Sequence, residues 1–135
     1  MKEGKDLKQL GSKTTEYKYK EPDVSILETF ENKYPNNTYE VILQSEEFTS
    51  LCPKTGQPDF AKIKVMYTPD KKCIETKSFK LYLFAFRNYG SFMETITNKI
   101  LNDLVLVCSP KEMTVSGIFN ARGGIKIFVD AKYKK

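Results

Sequence analysis

Apolar and polar residues alternate through residues 61–67, where Lys62 and Lys64 separate buried-type side chains. A period of two residues is typical of a strand with one buried face. Residues 39–44 are also predicted to form a strand. Clusters of Pro, Asn and Asp at residues 32–37 and 68–72 predict the turns beside these strands.

The pattern changes to a helical period after residue 91. Apolar residues then recur three or four positions apart, at Phe92, Ile96, Ile100, Leu104 and Val107. Ser91 is predicted to be the N-cap, with Glu94 completing a capping box. Pro110 marks the latest point at which this helix can end. The preceding run, residues 79–86, is apolar throughout and fits either a strand or a helix.

Two more strands are predicted at residues 113–119 and 124–129, joined by a hairpin at 120–123. The order of strand, strand, helical middle, strand, strand predicts an α+β fold, an antiparallel sheet with helices on one face. Such a thin sheet exposes its edges, and copies of the chain can cover them. We therefore expect a homo-oligomer.

The chain has 135 residues, which suits one domain. Residues 1–22 are polar and lysine-rich and are predicted to be a flexible arm, with a single folded domain at 23–135. No apolar run reaches the ~18 residues of a membrane span. The polar start lacks the features of a secretory signal. We predict a cytoplasmic protein.

The net charge of +5 favours an anionic partner, such as nucleic acid, a phosphorylated ligand or an acidic surface. Many of the lysines lie near the two ends, where charges are usually solvated. The three cysteines, at 52, 73 and 108, fit free thiols in a reducing compartment. The chain has no histidine, which removes Cys–His catalysis and most zinc sites, so no metal site is predicted.

Cys52 lies in a segment stiffened by Pro53, Gly56 and Pro58, seven residues before Asp59. An accessible thiolate is a nucleophile, and a nearby carboxylate can supply or accept a proton. A lone cysteine is more often a small buried apolar residue. The residues alone leave both interpretations open.

Two motifs carry a resemblance to a known family. Residues 75–82, Glu-Thr-Lys-Ser-Phe-Lys-Leu-Tyr, resemble the signature of the NADPH-dependent 7-cyano-7-deazaguanine reductases, the nitrile reductases of queuosine biosynthesis. Residues 51–60, Leu-Cys-Pro-Lys-Thr-Gly-Gln-Pro-Asp-Phe, are similar to the nucleophile loop of that family. Similar residues also recur at 86–88, at Glu94 and at 122–124. The resemblance covers residues 38–130.

The resemblance implies a tunnelling fold with a ββααββ subunit, of the short class that forms stacked pentamers with active sites at subunit interfaces. It implies a small-molecule 7-deazaguanine substrate, with no membrane or direct nucleic-acid partner. Cys52 would attack the nitrile to form a covalent thioimide, and Asp59 would protonate the nitrogen. Two NADPH would then yield 7-aminomethyl-7-deazaguanine.

The resemblance also implies roles for binding residues. Glu94 would pair with the guanine-like edge of the substrate, since a carboxylate suits two adjacent N–H donors; its competing role is the helix cap. The other substrate residues would be Ile74, Glu75, Thr76 and Met93, and the NADPH phosphates would contact Lys77, Lys80 and Arg122. Met93 departs from the family, which commonly has histidine there, and methionine cannot carry a proton.

Three other interpretations remain. Lysines and tyrosines on strands could form a nucleic-acid-binding module. The chain could be another tunnelling-fold enzyme of the pterin or purine type, although those commonly need zinc. It could also be a structural oligomer without activity.

Overall fold

The computed structural model describes residues 21–135. A short 3-10 helix, Val24–Ile26, precedes eight further elements. They are, in chain order, β1 (Thr29–Glu31), β2 (Val41–Leu51), β3 (Pro58–Thr68), β4 (Lys72–Ile74), α1 (Thr76–Phe84), α2 (Met93–Cys108), β5 (Glu112–Arg122) and β6 (Ile125–Lys134). The expected α+β order of two strands, two helices and two strands is confirmed, with β1 and β4 added.

The four long strands form one antiparallel sheet in the order β2-β3-β5-β6, while β1 and β4 form a small separate pair. In β3, the alternation of side chains buries Ala61, Ile63, Val65 and Tyr67, as their period predicts. Strand β2 is longer than expected because its alternation shifts at a bulge between Ser45 and Phe48. The alternation of apolar and polar residues therefore predicts an end of the strand at residue 44.

Residues 79–86, which fitted either a strand or a helix, belong mainly to helix α1. Glu75 is its N-cap and accepts hydrogen bonds from the backbone N–H groups of Lys77 and Ser78, both at 2.7 Å. A carboxylate there satisfies donors that the first turn leaves unpaired and also complements the helix dipole.

The predicted start of α2 is wrong. Its N-cap is Phe92, without a side-chain cap, so Ser91 and Glu94 form no capping box. The reason is a tertiary contact: the Ser91 N–H donates to the Leu51 carbonyl at 3.2 Å, which holds residue 91 in an extended segment. Phe92 was also predicted to face the core but is 57% exposed. Met93 and Thr97 are buried instead, beside the correctly predicted Ile96, Ile100 and Leu104.

The β5–β6 hairpin turns later than predicted. Residues 120–121 continue β5, and the turn is Gly123–Gly124, with Arg122 paired to Ile125. Both glycines have positive φ, 57° and 78°, as a two-residue turn between twisted strands requires.

The core lies between the sheet and the two helices. Ile96, Ile100 and Leu104 of α2 are fully buried, as are Val115 and Phe119 of β5. Gly117 allows the close approach, because a Cβ there would lie 2.6 Å from the Thr97 hydroxyl oxygen.

The predicted arm at 1–22 lies almost wholly outside the described residues, which begin at Glu21; Pro22 is buried. Within the described part of the chain, neither α-helix has the length and apolar character needed to cross a membrane.

Candidate active site

Residues 52–57 form a closed loop between β2 and β3. The Cys52 N–H donates to the Gln57 carbonyl at 2.8 Å, and the Gly56 N–H donates to the Cys52 carbonyl at 2.9 Å. Gly56 has a φ of 71°, which a residue with a side chain rarely adopts. The loop therefore holds Cys52 at the end of the sheet, where its side chain is partly exposed.

The thiol of Cys52 is surrounded by hydrogen-bond donors. The Thr55 hydroxyl, the backbone N–H groups of Thr55 and Lys54, and the Arg122 side chain are within reach. These contacts, led by the Thr55 hydroxyl, outweigh the opposing effect of burial and lower the pKa of Cys52 to about 7. In contrast, burial raises the pKa of Cys108 to about 12. Cys52 is therefore suited to react as a thiolate.

Asp59 lies inside β3, not in the loop where the sequence had placed it. Asp59 is 6% exposed. Its Oδ1 forms an ion pair with Nε of Arg122 at 2.8 Å. Nε and Nη2 of Arg122 are buried and lack a well-aligned hydrogen-bond acceptor among the described residues. Arg122, predicted to meet cofactor phosphate, thus forms an ion pair with Asp59 and is one of the groups that lower the pKa of Cys52.

Sequence reasoning missed two residues near this pair. Ser50 lies directly opposite Asp59 in the β2–β3 register, and its hydroxyl is buried without a hydrogen-bond partner in the described chain. Thr55 belongs to the segment 51–60 that resembles the nucleophile loop of the family. A hydroxyl-bearing residue three positions after the cysteine was the signal that could have identified it.

The N-terminus of α2 is held beside the Cys52 loop. Leu51 and Gly90 form a parallel bridge, in which the Leu51 N–H donates to the Tyr89 carbonyl at 3.0 Å. Met93 and Glu94 follow this segment as the first residues of α2. Met93 is buried, whereas Glu94 is exposed and free of any capping role.

Four predicted residues lie at the N-terminal end of α1 or just before it. Ile74 is buried and ends β4, where its N–H donates to the Tyr67 hydroxyl at 2.9 Å. The carboxylate of Glu75 caps α1; burial raises its pKa, but the N–H groups of Lys77 and Ser78 outweigh this and lower it. Thr76 and Lys77 form the exposed first turn.

Lys80 lines a groove of about 760 Å³ between strand β2 and helix α1. Arg87 also lines this groove, and its guanidinium carbon lies 4.0 Å from the centre of the Phe84 ring. Its Nε is buried without an acceptor among the described residues. The recognised segment 86–88 contains this arginine, but the sequence assigned it no role.

Helix α1 separates the predicted site residues into two groups. Its nine residues span roughly 12 Å between the first and last Cα. Cys52, Asp59 and Arg122 lie with the start of α2 beyond its C-terminal end, and Glu75 lies at its N-terminal end. Among the described residues, no hydrogen bond or ion pair joins the two groups within one chain.

Comparison with known proteins gives consistent matches. The sequence model of a family described as QueF-like protein matches residues 58–135. A protein of Bacteroides thetaiotaomicron named NADPH-dependent 7-cyano-7-deazaguanine reductase is 51% identical over 133 residues, 98% of this chain and 87% of the relative. A Bacillus cytotoxicus protein of the same name is 53% identical over 91% of this chain and 74% of its own.

The solved structures include a similar fold. The crystal structure of the archaeosine synthase QueF-Like in the apo form matches with a TM-score of 0.65 at 20% identity, over 69% of this chain and 91% of that one. At this identity the likeness concerns the fold alone, and it confirms the α+β tunnelling fold expected from the sequence.

Proposed function

This chain belongs to the family of NADPH-dependent 7-cyano-7-deazaguanine reductases, and from that premise we propose that it reduces the substrate nitrile through the thiol of Cys52. The family consists of oxidoreductases of queuosine biosynthesis. The observation that carries the proposal is the thiol itself, held by Thr55 and Lys54 with a pKa of about 7 beside the Asp59–Arg122 ion pair.

The first step uses this chain's own residues. The thiolate of Cys52 adds to the electrophilic nitrile carbon and forms a sulfur–carbon bond. The nitrogen then gains negative charge and takes a proton, which Asp59 carries. The product of this step is a thioimide on Cys52. The chain has no histidine and has Met93 at the start of α2, so the proton transfer falls to Asp59.

Conversion of a nitrile to a primary amine requires four electrons, which two NADPH would supply as one hydride each. The chain offers cations that suit its phosphates: Lys77 and Lys80 on the exposed side of α1, and Arg122, whose buried Nη2 lacks an acceptor among the described residues. These three cations therefore fit the phosphates of NADPH.

The substrate would be recognised by two sets of residues. Glu94 is exposed beside the Cys52 loop, and its carboxylate suits two adjacent N–H donors of the deazaguanine ring. Ile74, Glu75 and Thr76 supply the second set. The Glu75 carboxylate caps α1, its N–H donates to the Glu28 carbonyl at 3.0 Å, and its carbonyl accepts from Phe79 and Ser78. Glu75 therefore contributes by holding its neighbours Ile74 and Thr76 in place.

The separation of these two sets by α1 favours a site shared between copies. Strands β2 and β6 are the edges of the main sheet, and neither has a second partner strand in the described chain. Joining β6 of one copy to β2 of the next would cover both edges. We propose a closed ring of subunits, stacked in pairs, in the cytoplasm. A monomer in sedimentation at working concentration would contradict it.

The decisive experiment measures NADPH oxidation on addition of 7-cyano-7-deazaguanine, for the native chain and for Cys52→Ala. We expect two NADPH consumed per substrate, no turnover in Cys52→Ala, and a mass adduct on Cys52 in native protein given substrate alone. Cys73→Ala is the matched control, because Cys73 is buried. Turnover in Cys52→Ala would refute the proposal.

A further inference from the structure

We infer that Arg122 is a positioning residue that holds the carboxylate of Asp59 and the thiol of Cys52 together before substrate or NADPH binds. The inference rests on the proposed function, because it takes Cys52 as the nucleophile and Asp59 as the proton carrier. It assigns Arg122 a task separate from cofactor phosphate, the role that the sequence had suggested.

The first contact is the ion pair with Asp59. The carboxylate is almost entirely buried, and a buried carboxylate needs a partner that replaces water. Among the ion pairs of the described residues, Arg122 is the cation that meets it, at 2.8 Å. The orientation of the Asp59 side chain is therefore set from β5, the strand that pairs with its own strand β3.

The strand register places the nucleophile at the same end of the sheet as this ion pair. Ser50 lies opposite Asp59 and Leu51 opposite Pro58, and Cys52 is the next residue of the chain. The Arg122 side chain is also one of the groups that lower the pKa of Cys52. A planar guanidinium has five N–H donors in a fixed fork, so it can address two acidic groups at once. Lysine, with a compact charge, reproduces the attraction but not the fork.

The fold places Arg122 there through a bulge. Phe119 pairs with Ile127, whereas Arg122 pairs with Ile125, so β5 has one residue more than β6 over this interval. Alternation without the bulge would put residue 121 on the inner face and Arg122 on the outer face. The extra residue therefore directs the arginine to the face that carries Asp59.

The total charge of Cys52, Asp59 and Arg122 stays constant during the first step. The thiol proton passes to the Asp59 carboxylate, which leaves a thiolate and a carboxylic acid. As sulfur bonds to the nitrile carbon, the acid gives that proton to the nitrogen and becomes a carboxylate again. Arg122 faces one negative charge at each stage, so its attraction is retained throughout.

The test is the pH dependence of Cys52 alkylation by iodoacetamide, measured on the full chain without substrate or NADPH and read by peptide mass at Cys52. We expect Arg122→Gln to raise the midpoint by about half a pH unit or more. Arg122→Lys should restore part of that shift. Lys126→Gln, which removes an exposed cation from β6, should leave the midpoint unchanged.

An unchanged midpoint in folded Arg122→Gln would overturn the inference, and a residue that contacts only NADPH would give that result. If Arg122→Gln does not fold, Arg122→Met is compared with its parent in the Asp59→Asn background, where no buried carboxylate is left without its cation. The substrate adduct on native Cys52 tests the proposed function separately: an adduct with an unchanged midpoint removes only the role of Arg122. Without an adduct the proposed function fails, and the midpoint still decides whether Arg122 holds the thiol.

Discussion

The hydroxyl of Thr55 lies within hydrogen-bonding reach of the Cys52 thiol, three residues earlier in the same loop. Of the contacts that lower the pKa of Cys52, it is the largest, ahead of the backbone N–H groups of Thr55 and Lys54. A short loop thus supplies most of the stabilisation of the thiolate, and Arg122 adds to it from a different strand.

Thr55→Val should move the midpoint of Cys52 alkylation to higher pH. The variant loses the hydroxyl at nearly constant volume, so the pKa of Cys52 rises from about 7 towards the ordinary thiol value. A rise of one unit leaves about fivefold less thiolate at pH 7, and the deficit disappears above the new pKa. The measurement is the pH dependence of Cys52 alkylation by iodoacetamide, with Thr55→Ser as the control that keeps the hydroxyl. An unshifted midpoint would show that the hydroxyl does not stabilise the thiolate.

Glu75 and Glu94 should respond oppositely to removal of their carboxylates. Glu75→Ala loses the cap of α1 and should reduce the free energy of unfolding by about 1 kcal/mol without any ligand present. Its pKa is lowered in the folded chain, so the contribution is present above the unfolded pKa and is lost as pH falls through the folded one. Urea unfolding at pH 7 and at pH 4 measures both effects.

Glu94→Ala should lower the free energy of unfolding by only about 0.3 kcal/mol, because Glu94 is exposed, makes no cap and acts on α2 only through the helix dipole. The same variant should weaken substrate binding. The loss of a bidentate carboxylate should raise KM tenfold or more, since hydrogen bonds to charged groups are worth about 1.5–3 kcal/mol. Equal destabilisation of the two variants would mean that Glu94 has a structural role.

Gly117→Ala should destabilise the fold by about 1–3 kcal/mol. The added Cβ would lie 2.6 Å from Oγ1 of Thr97 and 2.7 Å from the Phe119 ring, so α2 or the ring must shift. Gly90→Ala is the control, because its Cβ would make an ordinary 3.5 Å contact with Pro53. Urea unfolding of the two variants gives the comparison, and equal stabilities would contradict the prediction.

Ser50→Ala should keep or increase stability. The Ser50 hydroxyl is fully buried without a partner in the described chain, and burying an unsatisfied hydroxyl costs about 1–3 kcal/mol. Ser116→Ala is the comparison, because it removes an exposed hydroxyl that donates to Asp130 at 2.6 Å. A clear loss of stability in Ser50→Ala would reveal a partner for that hydroxyl.

Several features follow from local sequence alone. Alternation at 61–67 specifies one buried face of β3, and the spacing of Ile96, Ile100 and Leu104 specifies the buried face of α2. Both patterns depend only on the period of the backbone, so they can be read without knowing any partner. The order of elements and the two family motifs are likewise present in the chain itself.

Other features depend on residues far apart in the chain. Bulges in β2 and β5 reverse the faces of the residues that follow them, and only the register with β3 and β6 defines those bulges. The pairing of Arg122 with Asp59 also depends on this register. The start of α2 depends on a contact with a distant strand, the hydrogen bond from the Ser91 N–H to the Leu51 carbonyl. The sequence determined which residues are available for chemistry; strand register and helix docking decided which of them meet, because contacts across a sheet leave no periodic signal in either strand.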